Sequence, residues 1–176
     1  MLNLKSDDKL LLKSFQHIFN QTKLKLLEDN DNISFADIKI KISNNKLSLK
    51  IDDESLSLNI PLSFKKIFFE INRILSTKRI SYFTLDYLPF QQKLENLGSF
   101  MLMNDIHNTL FSYLYLYRKE GIDKFDLYRK IWPNDKNFQI NKIDSHLSNL
   151  KNEIKNRIDF NFEYSSKKKL IKLASN

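Results

Sequence analysis

Wound at about 100° per residue, residues 141–156 sort their side chains by chemistry. Ile143, Leu147, Leu150 and Ile154 fall in one narrow arc. Asn141, Ser145, Ser148, Asn149, Asn152 and Asn156 lie opposite, with Lys142 and Lys155 on the flanks. An amide sets a donor beside an acceptor and so matches the edge of adenine. A serine hydroxyl gives or takes one hydrogen bond, and a lysine ammonium is a point charge for phosphate. Downstream, Lys167, Lys168 and Lys169 follow one another. Three crowded like charges are poorly placed for stability but suited to lie along a phosphate backbone or dip into a minor groove. The expected contact set is therefore Asn141, Lys142, Ser145, Ser148, Asn149, Asn152, Lys155, Lys167, Lys168 and Lys169, and the expected partner is double-stranded DNA. A solvated helix face and a solubility-promoting loop would offer the same side chains in a chain with 24 Lys, 5 Arg and 19 Asn.

Those residues need elements to hold them. Asn104 is a good N-cap for an apolar-striped helix over residues 105–119 that carries Ile106, Leu110, Tyr113, Leu114 and Tyr117. Glu120-Gly121 ends it. A second short helix starts after Asp123 and stops at Trp132-Pro133, and the third spans 141–156. Ile158, Phe160, Phe162 and Tyr164 alternate with Asp159, Asn161 and Glu163, which predicts a strand with one buried side. Residues 165–168 make the turn, and 169–173 return. Three helices and a basic-tipped hairpin are the layout of a winged helix-turn-helix. Ahead of it, Ile80 to Leu85, Gln92 to Glu95 and Phe100 to Met103 read as short antiparallel strands.

The first half follows another pattern. Ser6 is read as the cap of a helix with Leu11, Phe15, Ile18 and Phe19 on one side, and Lys23 to Glu28 as a short strand. Ile38, Ile40 and Ile42, then Leu47, Leu49 and Ile51, then Leu56, Leu58 and Ile60 alternate, with Asn44-Asn45 and Asp52-Asp53-Glu54 between the runs. This predicts an antiparallel meander, since Asn tolerates the positive φ that tight turns need. After Pro61, Ser63 caps a helix with Ile67, Phe68, Ile71, Ile74 and Leu75 inward. Ser76-Thr77-Lys78-Arg79 is the expected boundary. It leaves a small α+β module over residues 1–77 and a winged helix with an N-terminal antiparallel sheet over 78–176, α+β in class throughout.

Charge is distributed unevenly. The net +8 divides into +2 over residues 1–77 and +6 over 78–176. A basic surplus on one unit points to a polyanion. Without cysteine there is neither disulfide nor thiolate chemistry, in keeping with a reducing cytoplasm. The residues from Met1 to Lys13 lack the apolar run of a signal peptide, and no stretch reaches 18 apolar residues, so no membrane partner is expected. His17, His107 and His146 show no metal spacing, and no acid, base and nucleophile group together. Neither enzymatic activity nor a cofactor is expected.

The run Phe125-Asp126-Leu127-Tyr128-Arg129-Lys130-Ile131-Trp132, then a loop, then Lys142-Ile143-Asp144-Ser145-His146-Leu147-Ser148-Asn149-Leu150-Lys151 resembles the effector domain of the OmpR/PhoB class of response regulators. There, a leucine-rich helix ending in tryptophan precedes a recognition helix of pattern Thr-Val-(Asp/Glu)-x-His-Ile-x-x-Leu-Arg. Leu102-Met103-Asn104-Asp105-Ile106 stands at the family's strand-to-helix entry, so the resemblance covers about residues 80–174. It implies a transcriptional regulator whose third helix enters the major groove. Departures are clear: Ser148 and Asn149 stand where the family commonly has arginine, Lys151 where it has Arg, and the wing ends in Leu170-Ile171-Lys172-Leu173 without its glycine. A protein-interaction scaffold with eroded DNA contacts is the alternative. Residues 1–77 would be either a shortened receiver or an unrelated module. Asp7-Asp8 and Ile60-Pro61 do not complete a phospho-acceptor site, so no control by phosphorylation is expected. A homodimer through residues 1–77 would suit a palindromic operator.

Overall fold

The computed structural model describes residues 1–20, 34–167 and 169–174. The fold is α+β, and the chain divides into two compact units, Met1–Lys78 and Arg79–Asn176. Among the described residues, no helix is long and apolar enough to cross a membrane.

The first unit runs β1 (Leu2–Lys5), α1 (Lys9–Asn20), β2 (Ala36–Ser43), β3 (Lys46–Ile51), β4 (Glu54–Asn59) and α2 (Phe64–Ser76). Its sheet has the order β1-β2-β3-β4. The meander forms as its alternation predicts: Ile38, Ile40, Leu47, Leu49 and Ile51 are buried, and Asn44 and Asn45 turn with φ of 50° and 57°. Ile42 and Ile60, at strand ends, stay exposed. Helix α2 is capped by Ser63, whose hydroxyl accepts from Lys66 N–H. The cap of α1 is corrected. Asp8 holds it, its carboxylate accepting from Leu10 and Leu11 N–H at 2.9 and 3.1 Å. Ser6 instead donates to Ile40 O in the sheet. A carboxylate at the N-terminus also answers the helix dipole, which a hydroxyl does less well. Phe15 and Phe19 of α1 meet Phe64 and Phe68 of α2. The strand expected at Lys23 to Glu28 lies outside the described residues.

A receiver's doubly wound sheet is parallel. Here β1 pairs parallel to β2, while β2–β3 and β3–β4 are antiparallel. The described sheet of the first unit is therefore an antiparallel meander with one parallel strand added at its edge, where an intact receiver has a parallel sheet.

The second unit opens with β5 (Ile80–Tyr82), β6 (Leu85–Leu88), β7 (Lys93–Asn96) and β8 (Ser99–Leu102), an antiparallel sheet in chain order. Ile80 to Leu85 is thus not one strand. It folds back at Phe83, whose φ of 56° no alternation pattern announces. Then come α3 (Asp105–Leu116), β9 (Ile122–Asp123), α4 (Lys124–Ile131), α5 (Ile140–Ile158), β10 (Tyr164–Lys167) and β11 (Leu170–Leu173). Asn104 caps α3 and Asp123 caps α4 as expected. The last three strands form a second antiparallel sheet in the order β10-β11-β9.

Gly121 makes that sheet possible. It turns the chain out of α3 with φ of 85°, and a Cβ there would stand 2.9 Å from the Leu170 side chain and 3.1 Å from Ile171 O. Only glycine lets β9 lie so close to β11. The expected strand from Ile158 is also corrected. Ile158 ends α5, Asp159 is left-handed at φ 49°, and pairing begins only at Tyr164. Phe162 is nonetheless fully buried, against Phe111 of α3. Alternation marks burial of every second side chain, and a segment that turns on itself, with Phe162 N–H donating to Phe160 O, satisfies it as well as a strand does.

Candidate nucleic-acid interface

Helix α5 separates its two faces sharply. Ile143, Leu147, Leu150 and Ile154 are completely buried. Opposite them Asn141, Ser145, Ser148, Asn149, Asn152 and Asn156 are exposed. Burying four large aliphatic side chains contributes roughly 1.5–3 kcal/mol each, before entropy is counted. That side therefore fixes the helix rotation and obliges the amides outward. Asn149, Asn152 and Ser148 make no side-chain hydrogen bond among the described residues, so their donors and acceptors face solvent. Ser145 donates to Asn141 O at 2.8 Å and keeps its lone pairs. Asn141, Ser145 and Asn149, with Gln139 and His146, border a shallow basin of about 290 Å³ over the first turns of α5.

The lysines divide differently from the expectation. Lys142 is half-buried. Its ammonium lies 4.2 Å from the Trp132 ring centroid and 3.3 Å from Asp135 Oδ2. Tyr128 donates its hydroxyl to that same carboxylate. The phenol donor, then Asn137 N–H and Lys142, hold the Asp135 carboxyl below its usual range. Lys142 thus braces the α4–α5 connection, with its charge answered within the protein. Lys155 pairs with Asp159 at 2.5 Å at the exposed end of α5. Of the hairpin lysines, Lys169 is exposed, and its carbonyl accepts from Lys124 N–H at 2.8 Å, which ties the turn to the start of α4. The side chain of Lys167 and all of Lys168 lie outside the described residues.

Two positioning contacts were not evident in the sequence. Lys124 is buried with its ammonium 2.7 Å from Asp144 of α5. His107 of α3 and His146 of α5, 39 positions apart, meet edge to face at 5.7 Å. His107 Nδ1 lies 3.3 Å from Glu153 Oε2, and His146 packs on Trp132 at 5.4 Å. Among the described residues no group of three His, Cys, Asp or Glu could hold a metal ion.

Burial, then the facing His107 and Lys142, push the His146 imidazole below its usual value. The sign of the linkage follows. Above about pH 6.5 both folded and unfolded chains hold this group neutral. As pH falls below that value, the unfolded chain takes up a proton that the folded one resists, and stability is lost. Between pH 7.5 and 5.5, the urea midpoint followed by Trp132 fluorescence is expected to fall less in His146→Gln than in the unmodified protein. Equal falls in both would remove His146 as a contributor.

No family model and no curated protein matches this chain.

Proposed function

We propose that residues 79–176 form a winged helix that binds double-stranded DNA, as a transcriptional regulator similar to the OmpR/PhoB effector domains. Helix α5 would enter the major groove, with the β10–β11 hairpin on the flanking backbone or in the minor groove. The observation that carries this reading is the outer face of α5. It bears unengaged amides and a hydroxyl at Ser148, Asn149 and Asn152 and no carboxylate, on a helix whose opposite side is fully buried. The order helix, short strand, helix, helix, hairpin supports it, because it is the order in which winged helices are built. Engagement of Lys142 and Lys155 by Asp135 and Asp159 shifts the expected phosphate contacts toward the hairpin.

The test is a mobility shift with salt titration. Replacing Lys167, Lys168 and Lys169 by Ala should weaken binding to all duplexes alike. The slope of log affinity against log salt should fall by about 0.9 for each phosphate no longer neutralised. An unchanged slope would take the hairpin out of the reading. The same two ion pairs favour a second reading, a protein-interaction scaffold, which predicts no duplex binding even at low salt.

A further inference from the structure

The sheet of the first unit has a second face. On it Lys5, Lys39 and Lys50 stand in one row across β1, β2 and β3, because Lys5 is registered with Lys39 and Lys39 with Lys50. The neighbouring row is Lys41, Ser48 and Ser57, about 7 Å along the strands. Neighbouring strands lie about 4.8 Å apart, so Lys39 and Lys50 oppose like charge to like charge, an arrangement that destabilises a sheet. Lys39, Lys41 and Lys50 are exposed and form no ion pair among the described residues. Lys5 alone of the row is answered, by Asp37 at 3.1 Å. Asp7 lines the same surface. These side chains border an open basin of about 740 Å³.

Nothing about folding calls for three uncompensated lysines side by side. We infer that this face is a second nucleic-acid contact, holding the phosphodiester backbone without regard to sequence. The chemistry on the face selects this occupant. Lysine ammonium and serine hydroxyl groups are phosphate ligands. Among the described residues, the face carries no aromatic side chain on which a base could stack, so backbone contact alone is offered. Ile40, Leu49 and Leu56 also line the basin, but they alternate with the lysines and serines and belong to the other side of the sheet. Among the described residues these rows therefore present no apolar side chain to wedge into a membrane. The inference does not depend on α5, and its residues belong wholly to the first unit.

The experiment uses the full chain and a labelled 20-base-pair duplex of mixed sequence, followed by anisotropy across a salt series. Lys39→Ala/Lys41→Ala/Lys50→Ala should lower the salt slope by up to about 2.7, three phosphates at about 0.9 each. The Arg triple variant should keep the slope. Should the Ala variant fail to fold, Lys39→Gln and Lys50→Gln singly should each lower the slope by about 0.9. The slope is the decisive readout because it counts counterions released from a condensed polyanion, which an acidic peptide does not provide. An unchanged slope in the lysine variants overturns the inference, and so does a full chain that holds no duplex at low salt. Lysine-dependent binding to vesicles of phosphatidylserine, with duplex binding unaffected, overturns it in favour of a membrane. An unchanged slope confined to the sheet variants leaves the hairpin variant's slope change intact, failure of the α5 reading leaves the sheet variants' change intact, and absence of all duplex binding overturns both.

Discussion

Phe111→Ala is expected to lower the stability of the second unit by about 3–5 kcal/mol, the range for removing a fully buried aromatic ring. Phe111 has no exposed surface. Its ring meets Tyr87 of β6 edge to face at 4.7 Å and Phe162, beyond α5, at 5.6 Å. Tyr87 is fixed from its other end, where its hydroxyl lies 2.7 Å from Asn108 Oδ1 and 2.6 Å from Ser112 Oγ. One of the neighbours that would have to fill the space is thus pinned, so collapse into the cavity is resisted and the upper part of the range applies. A domain's whole stability is roughly 5–15 kcal/mol, so this loss is a large share of it. A two-unit chain need not unfold in one step, but the measurement avoids that difficulty. Trp132 is the only tryptophan in the chain and belongs to the second unit, where it packs on Tyr128 and His146. Urea unfolding followed by its fluorescence therefore reports that unit alone. A loss under about 1 kcal/mol would mean that the ring is not the centre of this core.

How far the sequence speaks depends on the range over which each signal acts. The meander is legible because alternation at Ile38, Ile40, Leu47, Leu49 and Ile51 and the Asn44-Asn45 turn are local facts. The caps Ser63, Asn104 and Asp123 are legible for the same reason. So is the division of α5 into an apolar and an amide face, which needs only helical periodicity. Strands whose existence depends on a distant partner are not legible. β1 is four residues that pair with residues 36–39. β9 is two residues held by β11, almost fifty positions on. Phe83 adopts a positive φ that its side chain disfavours, and no local pattern of residue types marks the turn. In the candidate interface, sequence names the residue types but not their occupations. That Lys142 is committed to Asp135 and Trp132, and that Lys39 faces Lys50, emerge only once the elements are brought together.

If α5 enters the groove as proposed, Asn149→Asp/Asn152→Asp is expected to have the largest effect on duplex binding, a weakening of about 30-fold or more. Each amide bonded to a base edge is worth about 1–3 kcal/mol, so removing two amounts to roughly 30-fold at the lower bound, at about tenfold per 1.4 kcal/mol. Carboxylates at these positions also lack the amide's donors and face the phosphates with like charge, which moves the expected weakening above that bound. Both side chains are exposed and free of partners among the described residues. The Trp132 unfolding midpoint should therefore hold within about 0.5 kcal/mol, the ordinary effect of a surface substitution. This pairing of unchanged stability with reduced affinity separates a contact role from a folding role. Asn149→Ala/Asn152→Ala divides the effect further. If the amides read bases, the Ala variant loses discrimination between duplexes while keeping general affinity. If α5 only lies near the backbone, Ala is tolerated and Asp alone is harmful. Should the Asp variant bind duplex as well as the unmodified chain, α5 is not in the groove, and the scaffold reading takes its place.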